Sequence, residues 1–231
     1  MQRLWQVDAS RGLALTFMLV SNFVTDLQYF KGYSSFGNLW FAFAQLTAFM
    51  FIFIVGFSLV LSYNWAVKEN KATLGKYLKR GLWIFGLGLL ITFISYWFIG
   101  ADYIRWGVLS LIGSSIILAY PFLKAKPVWS AVMGLLFVIA GWIAWHVTLT
   151  TNLLLPVGFT TASFSSVDYF PLLPWFGVAL LGIFFAKTYY SKISNLQSSK
   201  PKFKPLCWLG RHSLVIYLIH QPIFLALLLF F

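Results

Sequence analysis

Acidic residues are nearly missing from this chain: five Asp and Glu stand against 17 Lys and Arg in 231 residues. Cysteine occurs once, at Cys207, so a disulfide within the chain is excluded. No CxxC, HExxH or P-loop pattern is present, and nothing resembles a set of metal ligands, so no metal is expected. Charged residues of both signs make up only 10% of the chain, where a soluble domain carries about 25%. Apolar residues fill the space instead, at 60%, with aromatics alone at 20%. Those proportions exclude an ordinary soluble domain.

A bilayer core about 30 Å thick is crossed by roughly 20 apolar residues in a helix. Seven stretches qualify, at about 12–30, 39–63, 81–100, 106–123, 127–149, 169–186 and 213–231. They are continuously apolar rather than alternating, which argues against strands. Backbone groups in lipid must be satisfied within the segment, so helices follow. The expected fold is all-α: a polytopic membrane protein with about seven transmembrane helices. Fifteen of the 17 Lys and Arg fall on one side of this arrangement, and only Lys31 and Arg105 fall on the other. The positive-inside rule then places the N-terminus in the cytoplasm and the C-terminus outside. This topology, facing anionic inner-leaflet lipid, accounts for the net charge of +12 without nucleic acid as a partner. No small-residue cleavage site follows the first stretch, so a cleaved signal peptide is not expected. The chain reads as one multi-pass domain over 1–231 in the cell membrane. Flexible linkers are expected at about 64–80 and 188–205, and there is no clear internal repeat. Gly56, Gly81, Gly86 and Gly88 permit close helix contacts, either within one chain or between the copies of a homodimer.

A charge inside the membrane costs about 2.5–3.5 kcal/mol, so charged residues there face a cavity or a partner. The first stretch holds the densest polar set: Asp8, Arg11, Asn22, Thr25, Asp26 and Gln28. On a helix, Asp8, Arg11, Asn22 and Asp26 fall within roughly 60° of one another. Asn22 then lies about 16 Å along the axis from Arg11, and Asp26 about 22 Å. Helix–helix hydrogen bonding explains Asn22 taken alone, and an i,i+3 salt bridge explains Asp8 with Arg11. A stripe continuing through the membrane points further, to a lined cleft.

The last stretch is the second polar one, with Arg211, His212, Tyr217, His220 and Gln221, and Pro222 predicts a kink near His220. His220 is a candidate acid or base, with a hydrogen bond to a neighbouring helix as the simpler role. His146, near the outer end of the fifth stretch, reads as structural or interfacial. In DYFPLLPWFGVALLG, two prolines stiffen a helix start, and Asp168 is placed to cap that helix. Asp168 and Tyr169 are candidate binding residues at this outer position.

The stretch RLWQVDASRGLAL resembles the opening motif of the transmembrane acyltransferase family that includes heparan-α-glucosaminide N-acetyltransferase. Its Arg, Asp and Arg-Gly fall here on Arg3, Asp8, Arg11 and Gly12. The resemblance continues in order through FIFIVGFSLVLSY, WGVLSLIGSSIIL, DYFPLLPWFGVALLG and LGRHSLVIYLIHQPI, and covers essentially the whole chain. It looks most like the short prokaryotic branch of the family.

The resemblance implies a membrane acetyltransferase. Acetyl-CoA on the cytoplasmic side would be the co-substrate, and an amine or hydroxyl on the far side, usually of a sugar, the acceptor. Arg3, Asp8, Arg11, Lys79, Arg80 and Arg211 are the candidate acetyl-CoA residues, the cations facing its phosphates. Trp5, Trp83 and Trp208 fit an interfacial aromatic belt better than an adenine stack. Family members often carry a His at the position of Asn22 or about eleven residues further on. A second is often seen where this chain has Ser110. Neither His is present here. Asp26 is then the nearest substitute base, His220 the second, and Asn22 the group that polarises the thioester carbonyl or holds the acceptor. Two other readings stay open. One is an inactive family member binding a CoA derivative, lipid or protein partner. The other is a small-solute transporter.

Overall fold

A computed structural model describes residues 4–33, 37–194 and 203–230 of the chain. The described residues form nine α-helices and no sheet, only two isolated backbone bridges. They are α1 (Trp5–Lys31), α2 (Gly37–Lys68), α3 (Leu74–Ile99), α4 (Val108–Leu118), α5 (Tyr120–Lys124), α6 (Pro127–Trp145), α7 (Leu172–Ser194), α8 (Lys204–Arg211) and α9 (Ser213–Phe230). Five of these are long and apolar enough to cross a membrane. A sixth candidate forms if α8 and α9, bent by 82° at a short break, count as one span.

Solvent exposure is inverted relative to a soluble protein. Phe93, Trp97, Leu135 and Trp142 stand 54–70% exposed on α3 and α6. Asp8, Ser21, Asp26, Ser110, Ser130 and His220 are buried. Apolar faces of that extent suit lipid, and a buried polar side chain then requires a protein partner. The chain is an all-α, multi-pass membrane protein.

Two compact units are built from it. The first comprises residues 1–54 and 190–231, and the second residues 55–189. In the first, α8 packs across α1 almost backbone to backbone. A Cβ at Gly12 would run into the carbonyl of Leu206, and one at Gly210 into the carbonyl of Asp8. α9 then runs along α1, with Phe23 edge-on to Phe224 at 5.2 Å. Pro222 lies inside α9. The helix runs through it, and the sharp bend lies earlier, at His212.

In the second unit, α3 and α4–α5 run antiparallel. Gly88 faces Ser110, Gly81 faces Gly113 and Ile117, and the Tyr77 and Tyr120 rings lie 5.3 Å apart. Gly56 meets the backbone of Ala179, so three of the four small residues serve contacts within the chain, while Gly86 meets nothing within 4 Å. The expected fourth span is the one that falls short. α4 has 11 residues, about 16 Å of helix. The reason is that 100–107 folds back along α3, with the amide of Ile104 donating to Ser95 Oγ at 3.0 Å. The expected linker at 64–80 is likewise shorter, because α2 persists to Lys68 and α3 begins at Leu74. The turn between them is tied to α5 by the Tyr120 hydroxyl, which donates to the Ala72 carbonyl. Lys187 Nζ ties the end of α7 to the same place, donating to the carbonyls of Phe122 and Ala125. The basic segments 68–80, 124–126 and Lys187 therefore gather at one end of this unit. The expected linker at 188–205 is shorter too: 188–194 continue α7 and 204–205 open α8, while 195–202 lie outside the described residues.

Candidate active site

The polar face predicted for α1 meets α8 and α9 in three rungs, all within the first unit. At the first rung, Arg211 Nε donates to Asp8 Oδ2 at 3.1 Å, and Arg11 approaches Asp8 Oδ1 at 3.9 Å. Asp8 is buried, while Arg211 and Arg11 keep 43% and 28% of their side chains exposed. The two guanidiniums therefore share one carboxylate and still present a cationic surface outward.

The second rung joins Asn22 Nδ2 to His220 Nε2 at 2.9 Å. The other ring nitrogen of His220 sits on the Tyr217 carbonyl. A carbonyl can only accept, so Nδ1 carries the proton and Nε2 is the bare nitrogen receiving the Asn22 amide. Tyr217 and Phe224 lie against the imidazole at centroid distances of 5.2 and 5.4 Å. His220 is thus a buried imidazole with one nitrogen fixed to its own helix and the other aimed across at α1.

At the third rung, Gln221 Nε2 donates to both oxygens of Asp26, at 2.9 and 3.0 Å. Asp26 is 3% exposed. Helical spacing explains the ladder: Asn22 and Asp26 are four residues apart on α1, and His220 and Gln221 are neighbours on α9.

The remaining expected residues fall elsewhere. Arg3 lies outside the described residues. Lys79 and Arg80 are exposed near the start of α3, in the second unit. Ser110 is buried against Gly88 of α3. Asp168 does not cap the helix that follows it. Its Oδ2 accepts from the amide of Val108 at 3.4 Å, at the N-terminus of α4. Gly107 leaves the room, since a Cβ there would stand 2.7 Å from that oxygen. Burial pushes the Asp168 carboxyl up to about 6, against the opposing pull of the Val108 amide. The Tyr169 hydroxyl donates to the Leu155 carbonyl at 2.7 Å, and burial raises it, so it stays protonated. The single Ser166 hydroxyl proton is shared between the carbonyls of Tyr103 and Asp168, at 3.0 and 3.1 Å. Arg105 lies over the rings of Tyr103 and Phe164 at 5.0 and 5.3 Å. These residues make a folded cap of 100–107 and 146–171. No sequence motif points to a site role for Gln221, Ser166 or Arg105. The adjacency of Gln221 to His220 was the one available signal.

These features define an all-α multi-pass membrane protein whose first and last helices meet along a buried polar seam. Residues 3–222 match the catalytic-domain family of heparan-alpha-glucosaminide N-acetyltransferase, and the chain belongs to that family. No curated protein and no solved structure matches it. Membership makes membrane acetyltransferase activity with acetyl-CoA as donor the general expectation.

Proposed function

We propose that the whole chain acts as one acyltransferase domain, moving an acetyl group from acetyl-CoA to an amine or hydroxyl acceptor, a sugar in the first instance. The reaction would occur at the seam of α1 with α9. The observation that carries this reading is the 2.9 Å contact between Asn22 and His220, in a chain matched over residues 3–222 by an acetyltransferase catalytic domain.

His220 serves as the base. Its Nδ1–H stays on the Tyr217 carbonyl while Nε2 gains a proton, so the ring keeps its orientation through the reaction. Nε2 takes the proton from the acceptor N–H or O–H as that atom attacks the thioester carbonyl. The carbon–sulfur bond then breaks, and the proton passes to the departing CoA thiolate. The Asn22 amide, which holds Nε2 at rest, yields that position to the acceptor and turns to the oxygen where negative charge develops. Asp26, the first candidate by sequence, has both oxygens held by a single amide, which favours His220 for the proton.

Arg11 and Arg211 receive the CoA phosphates at the Asp8 end of the seam. Asp8 holds both cations in place. The positive-inside pattern puts that end in the cytoplasm and the acceptor on the far side of the cell membrane. Lys79 and Arg80 keep their assignment to CoA, and Asp168 and Tyr169 theirs to the acceptor, on sequence grounds.

Calorimetric titration with acetyl-CoA tests the donor half of this reading. Detergent-purified protein is expected to bind with a micromolar constant that Arg11→Ala and Arg211→Gln each weaken at least tenfold. An absence of binding at millimolar acetyl-CoA would sink it.

A further inference from the structure

We infer that Gln221 and Asp26 are positioning residues: their paired hydrogen bonds hold α9 in the rotation that delivers His220 Nε2 to Asn22. The proposal deepens the assignment of His220 as base and rests on it.

Three features lead there. First, Asp26 is a carboxylate at 3% exposure, and among the described residues it forms no ion pair. Its partner is a neutral amide, and one Gln221 nitrogen binds both oxygens. Two bonds from one nitrogen set the angle as well as the distance between the side chains. Second, His220 and Gln221 are consecutive, so their side chains leave α9 about 100° apart. A single hydrogen bond from α1 restrains α9 at one angle only, beside the edge-on contact of Phe23 with Phe224. A second rung at a different angle fixes the rotation. Third, the next residue is Pro222. It has no amide to give the Leu218 carbonyl and weakens the helix at this level. Restraint of the ring must then come partly from outside α9. The Tyr217 carbonyl fixes which nitrogen is bare, but it belongs to α9 and turns with it.

A clamp needs an acceptor at position 26, not a charge. Asn at 26 keeps one acceptor oxygen for the Gln221 amide, and its own NH2 can donate to Gln221 Oε1 once that amide turns, so a two-bond pair still forms. A base at position 26 could not survive the same change. Asp26→Asn therefore separates the two roles.

The test has two readouts. Nitrogen-15 histidine spectra report His220 directly in a background carrying His146→Gln and His212→Gln. The spectrum should show Nδ1 protonated and Nε2 hydrogen-bonded. Gln221→Leu should move the Nε2 resonance toward that of a free imidazole nitrogen, and Asp26→Asn should leave it in place. In acetyl transfer, Gln221→Leu should lower kcat about 100-fold, the penalty typical of a small misplacement, with the acetyl-CoA constant unchanged. Asp26→Asn should lower kcat less than Gln221→Leu does. An unchanged Nε2 resonance in Gln221→Leu would overturn the clamp. So would loss of transfer in Asp26→Asn with the resonance intact, since that outcome gives Asp26 the proton. If the parent protein transfers no acetyl group, the acyltransferase reading fails, and the spectra still decide the clamp.

Discussion

Asn22 Nδ2 lies 2.9 Å from His220 Nε2, joining residues 198 positions apart in the chain. This contact fixes both the register of α9 against α1 and the resting partner of the bare imidazole nitrogen. Asn is well suited to the position because its amide offers a donor to Nε2 and a carbonyl oxygen besides. Asn22→Leu keeps the volume and removes both. Acetyl transfer is expected to fall about 100- to 1000-fold in kcat, with acetyl-CoA affinity unchanged by calorimetry.

Arg211 and Asp8 form the second relationship to test. Arg211→Ala leaves a buried carboxylate with only Arg11, at 3.9 Å. The exposed side of Arg211 softens the effect, so a loss of about 1–3 kcal/mol is expected. Denaturant unfolding in mild detergent measures it. Unchanged stability would mean that the pair is a surface contact without structural weight.

Gly12 and Gly210 make a prediction about packing. Each faces a backbone carbonyl of the crossing helix with no room for a Cβ. Gly12→Ala and Gly210→Ala should each destabilise the protein by about 1–3 kcal/mol. Gly86→Ala, at an open position, should be close to neutral. Thermal unfolding of the three variants side by side checks the contrast.

Asp168 predicts a pH dependence. Its folded value of about 6 lies above the ordinary 3.8. Between those values the folded protein binds the proton more tightly than the unfolded chain does, so this residue lowers stability as pH rises from about 4 to 6. Asp168→Asn can still accept the Val108 amide and carries no charge. It should be more stable than the parent above pH 6, with the difference shrinking toward pH 4. Melting curves at several pH values read this out, and an unchanged difference across the range would contradict it.

The apolar runs and the polar face of α1 were legible because both are local and periodic. Asp8, Asn22 and Asp26 do share a face, and each meets α8 or α9. Their partners were less legible, because a rung between Asn22 and His220 depends on the register of two helices distant in sequence. For the opposite reason, the bend at His212 was not legible. The local rule for proline draws attention to Pro222, inside α9, whereas the 82° bend sits at His212, which is neither proline nor glycine. The run 106–123 read as one span, since nothing in it announces the fold-back of 100–107 held by Ser95. Asp168 read as the cap of its own helix by proximity in sequence, whereas Gly107 makes space for it at α4. The glycines of the two end motifs are explained only by their contact, Gly12 with Leu206 and Gly210 with Asp8.

The most direct test of the account is acetyl transfer in proteoliposomes, with labelled acetyl-CoA on one side, an amino sugar or sugar alcohol on the other, and His220→Ala beside the parent. The account predicts labelled acceptor from the parent and a fall of about 100- to 10,000-fold in the variant, with acetyl-CoA binding retained. Equal transfer by both proteins would remove His220, and with it the seam of α1 and α9, from the chemistry.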